Sequence, residues 1–257
     1  LIVGARSGQT QLLLYSVFRI GNATNNISWQ SFKELSQHRN VKWAIPISLG
    51  DSHRGFRVMG TTADYFHHYR YARDRKLVFA TGIPFTGVYE AVLGAEVAEQ
   101  LGYSIDQNIL IAHGAGRVNL VTHEDKPFTV VGILKRTGTP VDRTVHLPLA
   151  GIEAIHIDWQ GGTRATGLTV SAERALQHDL SPNSITAAYL GLNSRIATFN
   201  VQRFINDYKQ EPLQAIIPGV ALQQMWDMMG IAEKALLAIS AFVVLVGLAG
   251  MVTVILT

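Results

Sequence analysis

The residues best suited to chemistry in this chain are its nine histidines, because the sequence has no cysteine and imidazole is then the softest ligand on offer to a metal. Asp51-Ser-His53-Arg54 reads as a polar turn that sets an imidazole beside a carboxylate, the kind of pairing that orients metal-binding histidines. A plainly solvated turn is the competing reading. His67 and His68 are adjacent, so on a helix their side chains diverge by about 100° and miss the i, i+4 spacing that zinc favours. His123-Glu-Asp125 reads as a hairpin tip, more often hydrated than cation-binding. His113, His146 and His156 lie in apolar runs and are expected in the core or at its edge, each with one satisfied hydrogen bond. The balance is against a metal site; its candidates are Asp51, His53, His67 and His68.

Two further stretches could recognise a partner. Tyr65-Phe-His-His-Tyr-Arg-Tyr71, followed by Arg73, Arg75 and Lys76, is the densest aromatic-basic run, and Tyr69, Arg70 and Tyr71 are its contact candidates. The bland alternative is a loop that packs its rings and leaves its cations in water. Gly138-Thr-Pro-Val-Asp142-Arg143 is a turn-rich loop at the far end of a β-rich region, which makes Asp142 and Arg143 a second contact pair. No G-x-x-x-x-G-K-[ST], G-x-S-x-G or H-E-x-x-H pattern occurs, so no catalytic or cofactor-binding residue is expected. Gly114-Ala-Gly116 reads as a turn. A net charge of +3, evenly spread, gives no case for a nucleic-acid partner.

The elements that must position these residues divide sharply by charge. Only 16% of the residues are charged, against roughly 25% in an average soluble domain. The deficit lies at the carboxyl end: Ala235–Thr257 holds 23 residues without one ionisable group. As a helix that stretch is roughly 34 Å long, enough to cross a hydrocarbon core of about 30 Å. Ahead of it, Leu222, Met225, Trp226, Met229 and Ala232 make one apolar stripe after the break at Pro218-Gly219. One continuous helix over 218–257 is expected, amphipathic first and membrane-spanning after, with Trp226 as the candidate for the membrane interface. Gly247, Ala249 and Gly250 offer a small-residue patch within the span. The chain begins at Leu1, not Met, and reads as a piece of a longer protein.

Residues 1–217 mix strand and helix signals. Strands are expected at Leu12–Ile20, Val41–Leu49, Gly55–Met59, Asn108–Ala112, Val118–Thr122, Phe128–Leu134, Thr144–Leu147, Ile185–Gly191 and Leu213–Ile217. A turn over Gly50–His53 is expected between the second and third. Helices are expected after Ser28, at Val92–Gly102 with Gly102 as a left-handed cap, at Gly151–Ile157 and at Ala197–Tyr208. The pattern is that of an α+β unit with a β-rich insertion near 82–148.

Leu93-Gly-Ala-Glu-Val-Ala-Glu-Gln-Leu-Gly102, then Phe128-Thr-Val-Val-Gly-Ile-Leu134, then an α+β segment and a span resemble the extracytoplasmic core of the MacB/LolC/LolE/FtsX type of ABC transporter permease. The resemblance covers nearly the whole chain in order and hydropathy. It implies a mixed porter-like subdomain at 1–81 and 149–217, a β-rich inserted subdomain at 82–148, and a helix at 218–257 that enters the membrane. It further implies a four-span permease in the bacterial inner membrane, with most of this segment on the periplasmic side. The permease would be non-catalytic, hold no cofactor of its own, and turn ATP hydrolysis by a separate Mg-dependent ATPase subunit into periplasmic movement. A second permease copy or homologue, membrane lipid and a periplasmic protein are the implied partners; the transported substrate is left open. The alternative is a membrane-anchored extracytoplasmic sensor or binding protein, metal-responsive through its histidines.

Overall fold

Short apolar runs separated by glycine and polar turns assemble into one mixed sheet, because each run is too short to bury its apolar face alone. The computed structural model describes residues 1–114, 123, 125–160, 163–164 and 170–256. The chain forms two units, Leu1–Ile216 and Ile217–Thr257. The sheet strands of the first unit, in chain order, are β1 (Ile2–Ala5), β2 (Val41–His53), β3 (Phe56–Thr61), β4 (Phe79–Gly82), β5 (Glu90–Leu93), β6 (Asn108–Ile109), β7 (Ala112–His113), β8 (Phe128–Leu134), β9 (Thr144–Pro148), β10 (Ala187–Leu192) and β11 (Leu213–Ile216). The longer helices are α1 (Gln9–Leu13), α2 (Trp29–Ser36), α3 (Asp64–His68), α4 (Ala95–Leu101), α5 (Leu149–His156) and α6 (Thr198–Asn206), beside a single turn at Ala172–Ala175, with α7 (Pro218–Leu256) forming the second unit.

Across the sheet the order is β11-β1-β10-β2-β3-β9-β5-β8-β4, with β7 added to β2 and β6 to β8. The β3–β9 and β5–β8 pairs are parallel and the other pairings are antiparallel. The 13-residue β2 serves both halves. Val41–Ile47 pairs with β10, while Ser48–His53 pairs with β3 and β7 across a register shift between Leu49 and Ser52. One core gathers Val3, Phe32, Leu35, Leu190, Val201 and Ile205. The other gathers Val97, Ile109, Phe128, Val130 and Val145, and also takes Phe56, Val58, Ile152 and Ile155 from outside residues 82–148. In β8 every second residue is buried, the signature of a strand with one face on the core.

Local chemistry explains the helix ends. The Ser28 hydroxyl accepts from the Ser31 N–H and caps α2, worth about 1 kcal/mol. Gly102 ends α4 in the left-handed region at φ 67°, as its sequence position predicts. The helix expected over Val92–Gly102 starts later, because Val92 and Leu93 belong to β5 and Gly94 is the N-cap. Leu12–Ile20 is not a strand. It forms α1 and a π-helical turn at Leu14–Phe18, closed by Arg19 at φ 61°. Its apolar residues bury Leu12, Leu13 and Tyr15 in that form, and a short apolar run does not distinguish the two states. The strand expected at Val118–Thr122 and the Gly114–Gly116 turn beyond Gly114 fall outside the described residues.

The second unit is the expected single helix. α7 runs 39 residues without a break, about 58 Å. It contains a stretch of mean hydropathy 2.6, none of it buried, and is long and apolar enough to cross a membrane. Trp226 lies in its amino-terminal half, 54% exposed.

Candidate functional site

β2 and β3 are joined at Arg54-Gly55, where both residues have positive φ, 46° and 85°, the two-residue hairpin geometry that favours glycine. The turn therefore lies beyond Gly50–His53, and Asp51 and His53 are strand residues. This correction matters because β7 pairs along the end of β2 with His113 opposite Asp51 and Ala112 opposite Ser52. His156 closes α5, and His123 donates its backbone N–H to the Ile111 carbonyl at 3.0 Å. Three chain-distant segments thus bring three imidazoles to one corner.

The ligand-capable nitrogens of His113, His123 and His156 all lie within 4.8 Å of one another. Ring centroids are 4.4 Å apart for His113 and His156, 5.0 Å for His113 and His123, and 5.3 Å for His123 and His156. The Trp159 ring lies 4.2 Å from His113 and 4.9 Å from His123. Asp51 is buried, with Oδ1 3.2 Å from His113 Nδ1 and 3.7 Å from His156 Nε2. All three Nε2 atoms are buried without a hydrogen-bond partner among the described residues. A buried polar atom left in that state costs about 1–3 kcal/mol, so a cluster of three needs a reason.

Burial disfavours the charged form of two of these imidazoles, His123 and His156. Burial, helped by His156 and His113, pushes the His123 pKa down to about 4. Burial also lowers His156, although Asp51 pulls the other way. Beside this corner the fully buried Lys126 places Nζ 3.0 Å from Asp158 Oδ1 and 3.2 Å from Asp125 Oδ2. A buried charge of this kind persists only when paired.

Of the four metal candidates read from sequence, only Asp51 joins the cluster. His53 has both nitrogens engaged, Nδ1 at 2.6 Å from the Leu110 carbonyl and Nε2 at 3.1 Å from the Tyr103 hydroxyl. His67 is exposed, and His68 stacks on Trp43 with centroids 4.9 Å apart. The aromatic-basic run splits in two. Tyr69 stacks on Tyr65 at 4.8 Å and burial raises its pKa to about 12. Arg70 donates to the carbonyls of His67 and Tyr69 at 2.6 and 2.9 Å. Tyr71 pairs with Arg75 in a small hairpin, and the exposed residues are those of its tip and return, Ala72–Lys76.

Asp142 is 3% exposed, and its carboxylate accepts from Thr137 N and Oγ1 at 2.8 Å and from Gly138 N at 2.7 Å. It organises its own loop and presents no free carboxylate for a partner. Arg143 is exposed, pairs with Glu96 and lies 5.3 Å from the Phe56 ring. It lines a groove of about 700 Å³ with Arg19, Arg57 and Arg136. Read from sequence, His113 and His156 are core or edge residues of apolar runs and His123 is a hydrated hairpin tip; His123 is instead buried, 1% exposed, because its backbone is tied to Ile111 and its ring packs against His113 and Trp159.

Over residues 3–185 the chain matches the family described as the MacB-like periplasmic core domain. Its fold is similar to the periplasmic region of MacB from Actinobacillus actinomycetemcomitans, with a TM-score of 0.50 and 11% identity over 87% of this chain and 91% of that one. The extracellular domain of the noncanonic ABC-type transporter YknZ from Gram-positive bacteria aligns with a TM-score of 0.46 and 13% identity over 84% of this chain and 98% of that one. No curated protein matches in sequence.

Proposed function

The chain belongs to the MacB-like periplasmic core domain family, and from that premise we propose that it is the extracytoplasmic part of an ABC transporter permease. In this reading it couples ATP hydrolysis by a partner ATPase to movement outside the inner membrane. The family is one of transporter permease domains, not of enzymes. Catalysis and the ATP and Mg are assigned to the partner subunit, and a second permease, identical or homologous, completes the assembly. The observation that carries the reading is α7: 39 unbroken helical residues that follow β11 after one intervening residue and become wholly uncharged from Ala235. A helix transmits tilt and rotation along its length, whereas a melted linker would decouple its two ends.

The test is copurification of the full-length protein with an ATPase and stimulation of that ATPase's turnover. Ile231→Pro, which breaks α7 ahead of the span, is expected to abolish stimulation while leaving the matched domain folded. Full stimulation by the Ile231→Pro protein, or the lack of any ATPase partner, overturns the reading. The histidine corner favours a second reading, a membrane-anchored binding protein or sensor, which predicts saturable ligand binding with no ATPase required.

A further inference from the structure

We propose that His113, His123 and His156 bind a zinc-class divalent metal ion through three imidazole nitrogens, with Asp51 as the carboxylate that orients them. Asp51 Oδ1 lies 3.2 Å from His113 Nδ1; a proton held on that nitrogen by the carboxylate leaves the lone pair on Nε2, which has no hydrogen-bond partner among the described residues. His156 is tied through the backbone of Ile152 and turns its own unpartnered Nε2 toward the same carboxylate oxygen at 3.7 Å. His123 supplies the third unpartnered Nε2. The buried Nε2 of His146 also lacks a partner among the described residues, but that ring packs alone among Tyr65 and Phe66; His113, His123 and His156 each bring a ring nitrogen within 4.8 Å of the others, and that convergence is what makes a ligand set.

The donor chemistry selects the ion. Neutral imidazole suits zinc, nickel and copper, while magnesium and calcium require oxygen ligands. The Trp159 ring walls one side of the cluster, and the side chains of His113 and His156, 29% and 25% exposed, leave a way in. In a tetrahedral site with bonds of about 2.0–2.1 Å the nitrogens stand about 3.3 Å apart. The observed spread of up to 4.8 Å closes by side-chain rotation, and a fourth position remains for water or for Asp51. Such an ion pins the end of α5 to the β2–β7 edge.

The 257-residue chain, purified in detergent and stripped with a chelator, is dialysed against micromolar ZnCl₂. One equivalent per chain is expected, and none with MgCl₂ at the same concentration. His113→Gln and His156→Gln each weaken uptake by at least about tenfold, and Asp51→Asn by about 10–100-fold. The surface double variant His67→Gln, His68→Gln leaves it unchanged. A readout that needs no variant is cobalt: Co²⁺ in the unaltered chain gives the intense visible absorption of tetrahedral nitrogen ligation, lost on adding one equivalent of Zn²⁺. No zinc uptake by the unaltered chain, or uptake indifferent to both His113→Gln and His156→Gln, overturns the proposal. Either failure leaves the transporter reading to its own ATPase test.

Discussion

Two buried carboxylates, Asp142 and Asp51, sit in the same unit and do opposite things. Among the described residues Asp142's carboxylate accepts only from donors within five residues of itself, Thr137 and Gly138, and those bonds build the loop that contains it. Asp51 meets imidazoles delivered by a distant strand and by the end of a helix, and the Nε2 atoms of those imidazoles have no hydrogen-bond partner among the described residues. A carboxylate that closes on its own backbone stabilises; one that aims side chains at a common point leaves room for a ligand. Burial alone does not separate the two cases. The partners do.

The largest effect that would sharpen this contrast is the loss of the Asp142 loop. Asp142→Ala removes the charged acceptor of the Thr137 and Gly138 N–H groups and leaves the Thr137 hydroxyl only Thr139, and denaturant unfolding is expected to show a loss of about 3 kcal/mol. A loss below about 1 kcal/mol would break the contrast. Next comes acid. His146 is fully buried and burial depresses its pKa to about 3, with Arg19 adding to the effect; its Nδ1 lies 3.2 Å from the Val92 carbonyl, among the rings of Tyr65 and Phe66. Below about pH 6.5 the unfolded chain takes up a proton that the folded chain refuses. Stability is therefore full above pH 6.5 and falls by up to about 1.4 kcal/mol per unit toward pH 3. His146→Leu flattens that limb in urea titrations at stepped pH. If the slope persists in the variant, His146 is not its source.

Smaller still is Asp51→Asn in the metal-free protein, about 1 kcal/mol or less, because the substitution weakens the 3.2 Å contact with His113 Nδ1 but keeps an acceptor oxygen there. A cost equal to that of Asp142→Ala would make Asp51 a structural group like the other. The smallest expected effect is Arg143→Ala, about 0.5 kcal/mol by thermal unfolding, since its pair with Glu96 is solvent-facing. A loss of assembly in that variant without a loss of stability would mark Arg143 as a partner contact.

The sequence carries the fold class in its local signals. The Ser28 cap, the Gly102 cap, the alternation in Phe128–Leu134 and the uncharged stretch from Ala235 each state their own structure, because each is decided within a few residues. The site is decided elsewhere. Asp51 was legible as a carboxylate near an imidazole, but the imidazole it meets is His113, assigned by strand register, and not its chain neighbour His53. Moving the turn from Gly50–His53 to Arg54-Gly55 turns a solvated loop into a buried strand end, and no local preference in Gly-Asp-Ser-His sets that choice. His123 and His156 arrive from segments whose sequence describes only their own apolar neighbours. Pairing at long range is a property of the sheet.

β2 is hydrogen-bonded on one stretch to β10 and on the next to β3 and β7. Its amides should therefore resist deuterium from Ala44 to Ser52 until the whole first unit opens, and neither core should melt ahead of the other. Excising either half would strip a long strand of its neighbours, so a truncation there should yield a chain that fails to refold rather than a smaller stable piece.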